Sequence, residues 1–129
     1  RALRYWTEQT DAFAQPDWTA DNVFMNPPYS GGLVSRSVFR FVDVFVAGSF
    51  PTGIVLVNNA SETRWFQRAL VVASALCLPD RRIAFYNLDN KNVSGNTRGQ
   101  AVLLFGEAGK PAFLSEFKPF GATFALNLA

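Results

Sequence analysis

The sequence contains no histidine. That absence excludes a Ser-His-Asp triad, a Cys-His nucleophile pair and any zinc site built on imidazole. Cysteine is nearly as scarce, Cys77 being the only one. An internal disulfide and a multi-cysteine metal site are therefore impossible, so no metal is expected, and the cytoplasm is the default compartment. Long apolar runs are missing too, since Arg, Asp or Gly interrupts each of them well before the ~20 residues a membrane helix needs. The start of the chain carries no signal-peptide pattern. Charge of either sign is modest, with 12 basic and 10 acidic residues giving a net +2. So mild a total neither marks nor opposes nucleic-acid binding, whose footprint is a basic stripe.

What is present, 129 residues with 49% hydrophobic content, suits one soluble folded domain over residues 1–129. The chain opens on Arg1, and its first stretch, RALRYWTEQTDAFAQPDW, reads as neither a strand nor a capped helix. We read this as an internal start, with the N-terminal part of the domain missing; a trimmed N-terminus is the other reading.

Regular patterning begins at residue 22. NVFM is a short apolar run ending in the turn-forming NPPYSGG, as a buried strand running into a loop does. Val34, Val38, Phe41, Val42 and Phe45 then recur at helical spacing, with Arg36, Arg40 and Asp43 on the other face and Gly48 as the stop. GIVLV (53–57) has the composition of a strand covered on both faces. Ser61 is placed to cap a second helix from about Glu62 to Leu76, ended by Pro79, with Trp65, Phe66, Ala69, Leu70 and Ala73 as its buried stripe. Further strands are predicted at RIAFY (82–86) and AVLLF (101–105), an antiparallel pair joined by the polar loop DNKNVSGNTRGQ. The tail from Gly109, with Phe113, Phe117, Phe120 and Phe124, is expected to pack on the sheet. This is an α/β order in which a right-handed crossover makes the first two strands parallel.

Asn26-Pro27-Pro28-Tyr29 lies at the carboxyl end of the first strand, where open α/β sheets bind ligands. Two prolines remove two backbone donors and fix φ, leaving a stiff loop whose carbonyls only accept hydrogen bonds. The Asn26 side-chain carbonyl and the Pro27 backbone carbonyl together suit a planar NH2 group, and Tyr29 offers a flat ring for stacking. An exocyclic adenine amine is a poor nucleophile because its lone pair is delocalised into the ring. Two acceptors drawing on its protons localise that pair, and an aligned sulfonium methyl donor then needs neither a histidine base nor a metal. On the tetrapeptide alone, a rigid turn whose tyrosine merely packs is an equally good reading.

VFMNPPYS resembles motif IV of the amino methyltransferases that use S-adenosylmethionine, in which (Asp/Asn/Ser)-Pro-Pro-(Tyr/Phe/Trp) holds the target amine. The motif also occurs in methyltransferases acting on release-factor glutamines and ribosomal RNA. The wider order, NPPYSGG, amphipathic helix, strand, TRWF, RRIAFYN and NTRGQAVLLFG, is similar to the phage-type DNA N-6-adenine methyltransferases, the Dam family, over about residues 5 to 121. The resemblance implies a Rossmann-like fold, here the part from the motif strand onward, with the last strand antiparallel. It implies methyl transfer from S-adenosylmethionine to N-6 of adenine in DNA, in a bacterial or phage-infected cell. Asn26 and Pro27 would bind the amine, Pro28 would shape the turn and Tyr29 would stack on the flipped base; Ser30 matches the motif's usual context. Nothing in residues 1–25 resembles a Gly-rich or acidic cofactor motif, and no G-x-G-x-x-G or phosphate-binding loop occurs, so cofactor-binding residues are expected upstream of residue 1. RNA or a protein glutamine is the alternative acceptor, and an inactive DNA-binding remnant is a third possibility.

Several other residues carry two readings. Arg36/Arg40, Arg64/Arg68 and Arg81/Arg82 suit phosphate contact, because nine of the twelve basic residues are arginine, yet solvated surface is the simpler reading for any one pair. Trp65 reads as core, and Cys77, between Leu76 and Leu78, as an inert buried thiol. Lys91 and Arg98 fall in a polar loop that suits nucleic-acid contact or plain mobile surface.

Overall fold

A computed structural model describes residues 4–6, 12, 15, 17–29, 32–83, 85–86, 92–93 and 99–127. Its elements run β1 (Asn22–Met25), α1 (Leu33–Val46), β2 (Thr52–Asn58), α2 (Arg64–Val72), β3 (Ala75–Pro79), β4 (Phe85–Tyr86), β5 (Asn92–Val93), β6 (Gln100–Phe105), α3 (Lys110–Phe117) and β7 (Gly121–Ala125). Five strands form one mixed sheet in the order β1-β2-β6-β3-β7, and β4 pairs with β5 in a separate hairpin. β1 and β2 are parallel, as the intervening helix requires. β6 lies between β2 and β3 and is antiparallel to both, while β7 is antiparallel to β3.

The helical spacing of residues 34–45 is realised in α1, which buries Val34, Ser37, Val38, Phe41, Val42 and Val44. It stops where Gly48 takes φ 92°. The Gly48 N–H donates to the Phe45 carbonyl (2.9 Å) and Ser49 N–H to the Val44 carbonyl (3.0 Å), satisfying carbonyls the helix end leaves orphaned. α1 and α2 cover one face of the sheet, where Phe41, Val42, Trp65, Phe66 and Ala69 pack with Val55, Val57, Ala101, Leu103 and Phe105. On the opposite face Phe113 of α3 packs with Ala75, Cys77, Val102 and Leu104. β6 is buried along its whole length because it lies inside the sheet with both faces covered. β2 alternates, with Gly53, Val55 and Val57 buried and Ile54 and Leu56 half-buried under α3.

Three segments depart from the sequence reading. NVFM, expected as a buried strand, is an outer strand of the sheet among the described residues, with Phe24 exposed and Val23 and Met25 only half-buried. The second helix begins two residues later than expected, capped by Thr63 rather than Ser61; the Thr63 hydroxyl accepts from the Phe66 N–H (3.3 Å). It ends at Val72, and the residues expected to complete it form β3. Ala75-Leu76-Cys77-Leu78 continues the apolar pattern of the helix, and a short apolar run serves helix and strand equally. Tertiary bonds decide between them: Ser74 N–H donates to the Leu104 carbonyl of β6 (2.7 Å), and Asn127 Nδ2 takes the Leu70 and Ala73 carbonyls (2.7 Å each). The strand expected at 82–86 consequently reduces to β4, outside the main sheet, so β3 takes its place beside β6. Most of the loop before Gln100, including Lys91 and Arg98, lies outside the described residues. In the tail only Phe113 of the four aromatics is buried; Phe120 and Phe124 are exposed. No helix among the described residues is long and apolar enough to cross a membrane.

Phe41 is the hinge of the aromatic packing, fully buried, with ring centroids 5.0 Å from Phe50 and 5.1 Å from Phe105. Phe41→Ala is expected to lower the unfolding free energy by about 3–5 kcal/mol. Urea denaturation reads this as a lower midpoint at unchanged slope.

Candidate functional site

The β1–β2 ladder ends at the Met25↔Val55 pair, although β2 continues to Asn58. The reason is in the sequence: Pro27 and Pro28 have no N–H to donate, so the chain leaves the sheet after Met25. Pro27 is buried beneath the turn, whereas Asn26 and Pro28 are exposed. The last residue of β2 is left with a free N–H on its β1 side. Tyr29 folds back to fill that slot, its hydroxyl accepting a hydrogen bond from the Asn58 backbone N–H.

This contact fixes the ring. Tyr29 is held at its far end and keeps 37% of its surface exposed. Partial burial raises the phenol pKa above its ordinary value of 10.0, and the hydrogen bond from Asn58 opposes that rise without cancelling it. The hydroxyl is thus neutral at physiological pH.

Asn58 is itself positioned. Its side-chain carbonyl accepts from Gln100 Nε2 at 2.8 Å, across the register pair Asn58↔Gln100, and Gln100 is only 5% exposed. Asn59 N–H donates to the Gly99 carbonyl (3.1 Å), and Ala60 N–H to the Asn58 carbonyl (2.8 Å). Gln67 Nε2 donates to the Ser61 carbonyl (2.6 Å), and the Thr63 hydroxyl to the Ala60 carbonyl (2.7 Å). The carboxyl ends of β1 and β2 are therefore one tied polar ledge at the same end of the sheet.

The tetrapeptide singled out in the sequence, Asn26 to Tyr29, lies together on this ledge; Ser30 and Gly31 are outside the described residues. Asn58 and Gln100 were not singled out. The available signal was position, since an asparagine ending the strand next to the motif strand sits at the same carboxyl end of the sheet. Trp65 and Cys77 are buried, as their apolar settings implied. Among the arginines, Arg68 approaches Asp43 at 3.9 Å, Arg81 pairs with Asp80 at 2.6 Å, and Arg40 stacks over Trp18 at 5.8 Å. Arg82 is exposed, and no carboxylate among the described residues pairs with it.

A mixed α/β sheet thus carries, at the carboxyl ends of β1 and β2, a proline-stiffened loop and an aromatic ring anchored to the neighbouring strand. Residues 1–118 match the model of the family described as DNA N-6-adenine-methyltransferase (Dam), and the chain belongs to that family. No curated protein and no solved structure matches the chain.

Because the Tyr29 phenol pKa is raised on folding, its contribution to stability is present below pH 10 and is lost as pH rises through the raised value. Tyr29→Phe leaves the Asn58 N–H without its partner and is expected to cost about 1 kcal/mol at neutral pH. The difference in unfolding free energy between the two proteins should shrink above pH 10, which denaturation at a series of pH values measures.

Proposed function

We propose that this chain carries the amine-binding half of a Rossmann-like, S-adenosylmethionine-dependent methyltransferase domain that methylates N-6 of adenine in DNA. The observation that carries this reading is the Asn26–Tyr29 loop: a proline-stiffened acceptor turn at the carboxyl end of β1, with its aromatic ring pinned to the end of β2. The family match supports the substrate and the reaction. The antiparallel β6 between β2 and β3 supports the fold assignment.

Within this reading, the target base must leave the duplex stack, because its amino group is otherwise engaged in pairing. Tyr29 receives the ring by stacking, and the Asn58 N–H keeps that platform from rotating away. The Asn26 side-chain carbonyl and the Pro27 backbone carbonyl accept the two amino protons. This orients the nitrogen and raises its nucleophilicity while excluding competing water from those acceptors. Pro28 holds the turn rigid, so the acceptors need no rearrangement during reaction. Once the methyl group is transferred, the nitrogen gives up one proton to solvent water, which the exposure of Asn26 admits to this edge of the site.

When bound, S-adenosylmethionine supplies an electrophilic sulfonium methyl group. β1, β2 and residues 26–29 carry no acidic side chain that could hold its ribose. We therefore assign no residue of this chain to the cofactor. DNA is the proposed macromolecular partner and the cytoplasm the proposed setting.

In the natural protein that carries this chain, Asn26→Ala is expected to cut methyl transfer roughly 100-fold or more, with binding of S-adenosylmethionine retained. Labelled-methyl transfer to unmethylated DNA, with cofactor affinity measured in parallel, tests this. Near-normal turnover by the variant would overturn the role given to Asn26.

A further inference from the structure

Gly99 lies at the entry to β6, directly opposite Asn59 at the exit of β2. A Cβ placed on Gly99 would stand 2.6 Å from Asn59 Nδ2 and 3.0 Å from Arg82 Nη1. Two side chains from different segments, one just past β2 and one past β3, thus close over the same backbone position. Both present N–H donors, and both residues are exposed. A methyl group at this position would push both side-chain ends aside.

Their location gives the convergence a meaning. Asn59 adjoins Asn58, whose N–H anchors the Tyr29 ring, so the donor pair stands one residue from the platform proposed to hold the target base. Charge distinguishes the two neighbouring arginines: Arg81 is neutralised by Asp80 at 2.6 Å, whereas Arg82 has no carboxylate among the described residues. A guanidinium joined by an amide donor, exposed and without a counter-charge among the described residues, suits an anionic oxygen cluster such as a phosphate. S-adenosylmethionine has only its carboxylate to offer this pair, and DNA binding measured in its absence separates the two ligands.

We propose that Arg82 and Asn59, brought together over Gly99, bind a backbone phosphate of the DNA strand beside the nucleotide whose base occupies the Asn26–Tyr29 site. Such a contact fixes the strand without reading its sequence. The assignment rests on the reading of Asn26–Tyr29 as the base site.

The test is equilibrium binding of duplex DNA by the natural protein over a salt series, with steady-state methylation of the same duplex. Arg82→Ala should weaken binding several-fold and reduce the slope of log affinity against log salt by about 1. It should raise KM for DNA and leave kcat within about twofold. Arg81→Ala, an equal loss of formal charge, should leave the slope unchanged. Gly99→Ala displaces only the ends of two flexible side chains, and should weaken DNA binding like Arg82→Ala. An unaltered slope in Arg82→Ala, an equal fall in Arg81→Ala, or no DNA binding by the unsubstituted protein overturns the proposal. If the slope falls as expected but no methyl group reaches adenine, the phosphate site stands and the methylation reading fails.

Discussion

The arrangement of the site depends on a single missing donor set. Pro27 and Pro28 cannot extend the β1–β2 ladder, so hydrogen bonding stops at Met25↔Val55 and the Asn58 N–H needs a partner from elsewhere. Tyr29 supplies it. The same two residues that stiffen the acceptor turn therefore also create the socket that immobilises the aromatic ring. A Gly-rich loop in this place would leave carbonyls free to turn and the ring free to swing, and each would have to be ordered again on binding.

Rigidity at the loop is useful only if the strand it leans on is equally fixed. β2 is held on one side by β1 and on the other by β6, and its outer residue is locked by the buried Gln100 amide. Beneath it, Phe41, Phe50 and Phe105 pack at centroid separations of 5.0–5.1 Å, close enough for tilted aromatic contact to add to simple burial. The core thus transmits position from α1 through β2 to the Tyr29 hydroxyl. Exposed polar residues at the strand ends are free to carry chemistry because the buried alternation behind them carries stability.

Parts of this were legible in the amino-acid sequence because one force dominated locally. α1 has an apolar stripe long enough to be unmistakable and a glycine stop; β1, β2 and β6 are apolar runs bounded by turn residues. The proline pair announced the loop that ends β1. β3 was hidden because Ala75–Leu78 prolongs the helical pattern of α2, and the bonds that turn it into strand come from Leu104 and Asn127, distant in the chain. The Thr63 cap and the Asn58–Gln100 pair were hidden for a similar reason. Competing Ser/Thr caps lie two residues apart, and a cross-strand amide pair has no local signature at a separation of 42 residues. Arg82 and Arg81 are indistinguishable in sequence, and differ only because Asp80 engages one of them.

The most direct measurement is nucleoside mass spectrometry of unmethylated DNA after incubation with S-adenosylmethionine and the natural protein carrying this chain. If the Asn26–Tyr29 turn holds adenine as argued, N-6-methyladenine accumulates and no other nucleoside changes mass. Methyl groups found on cytosine, on RNA or on a protein glutamine, or on no acceptor at all, would contradict the account.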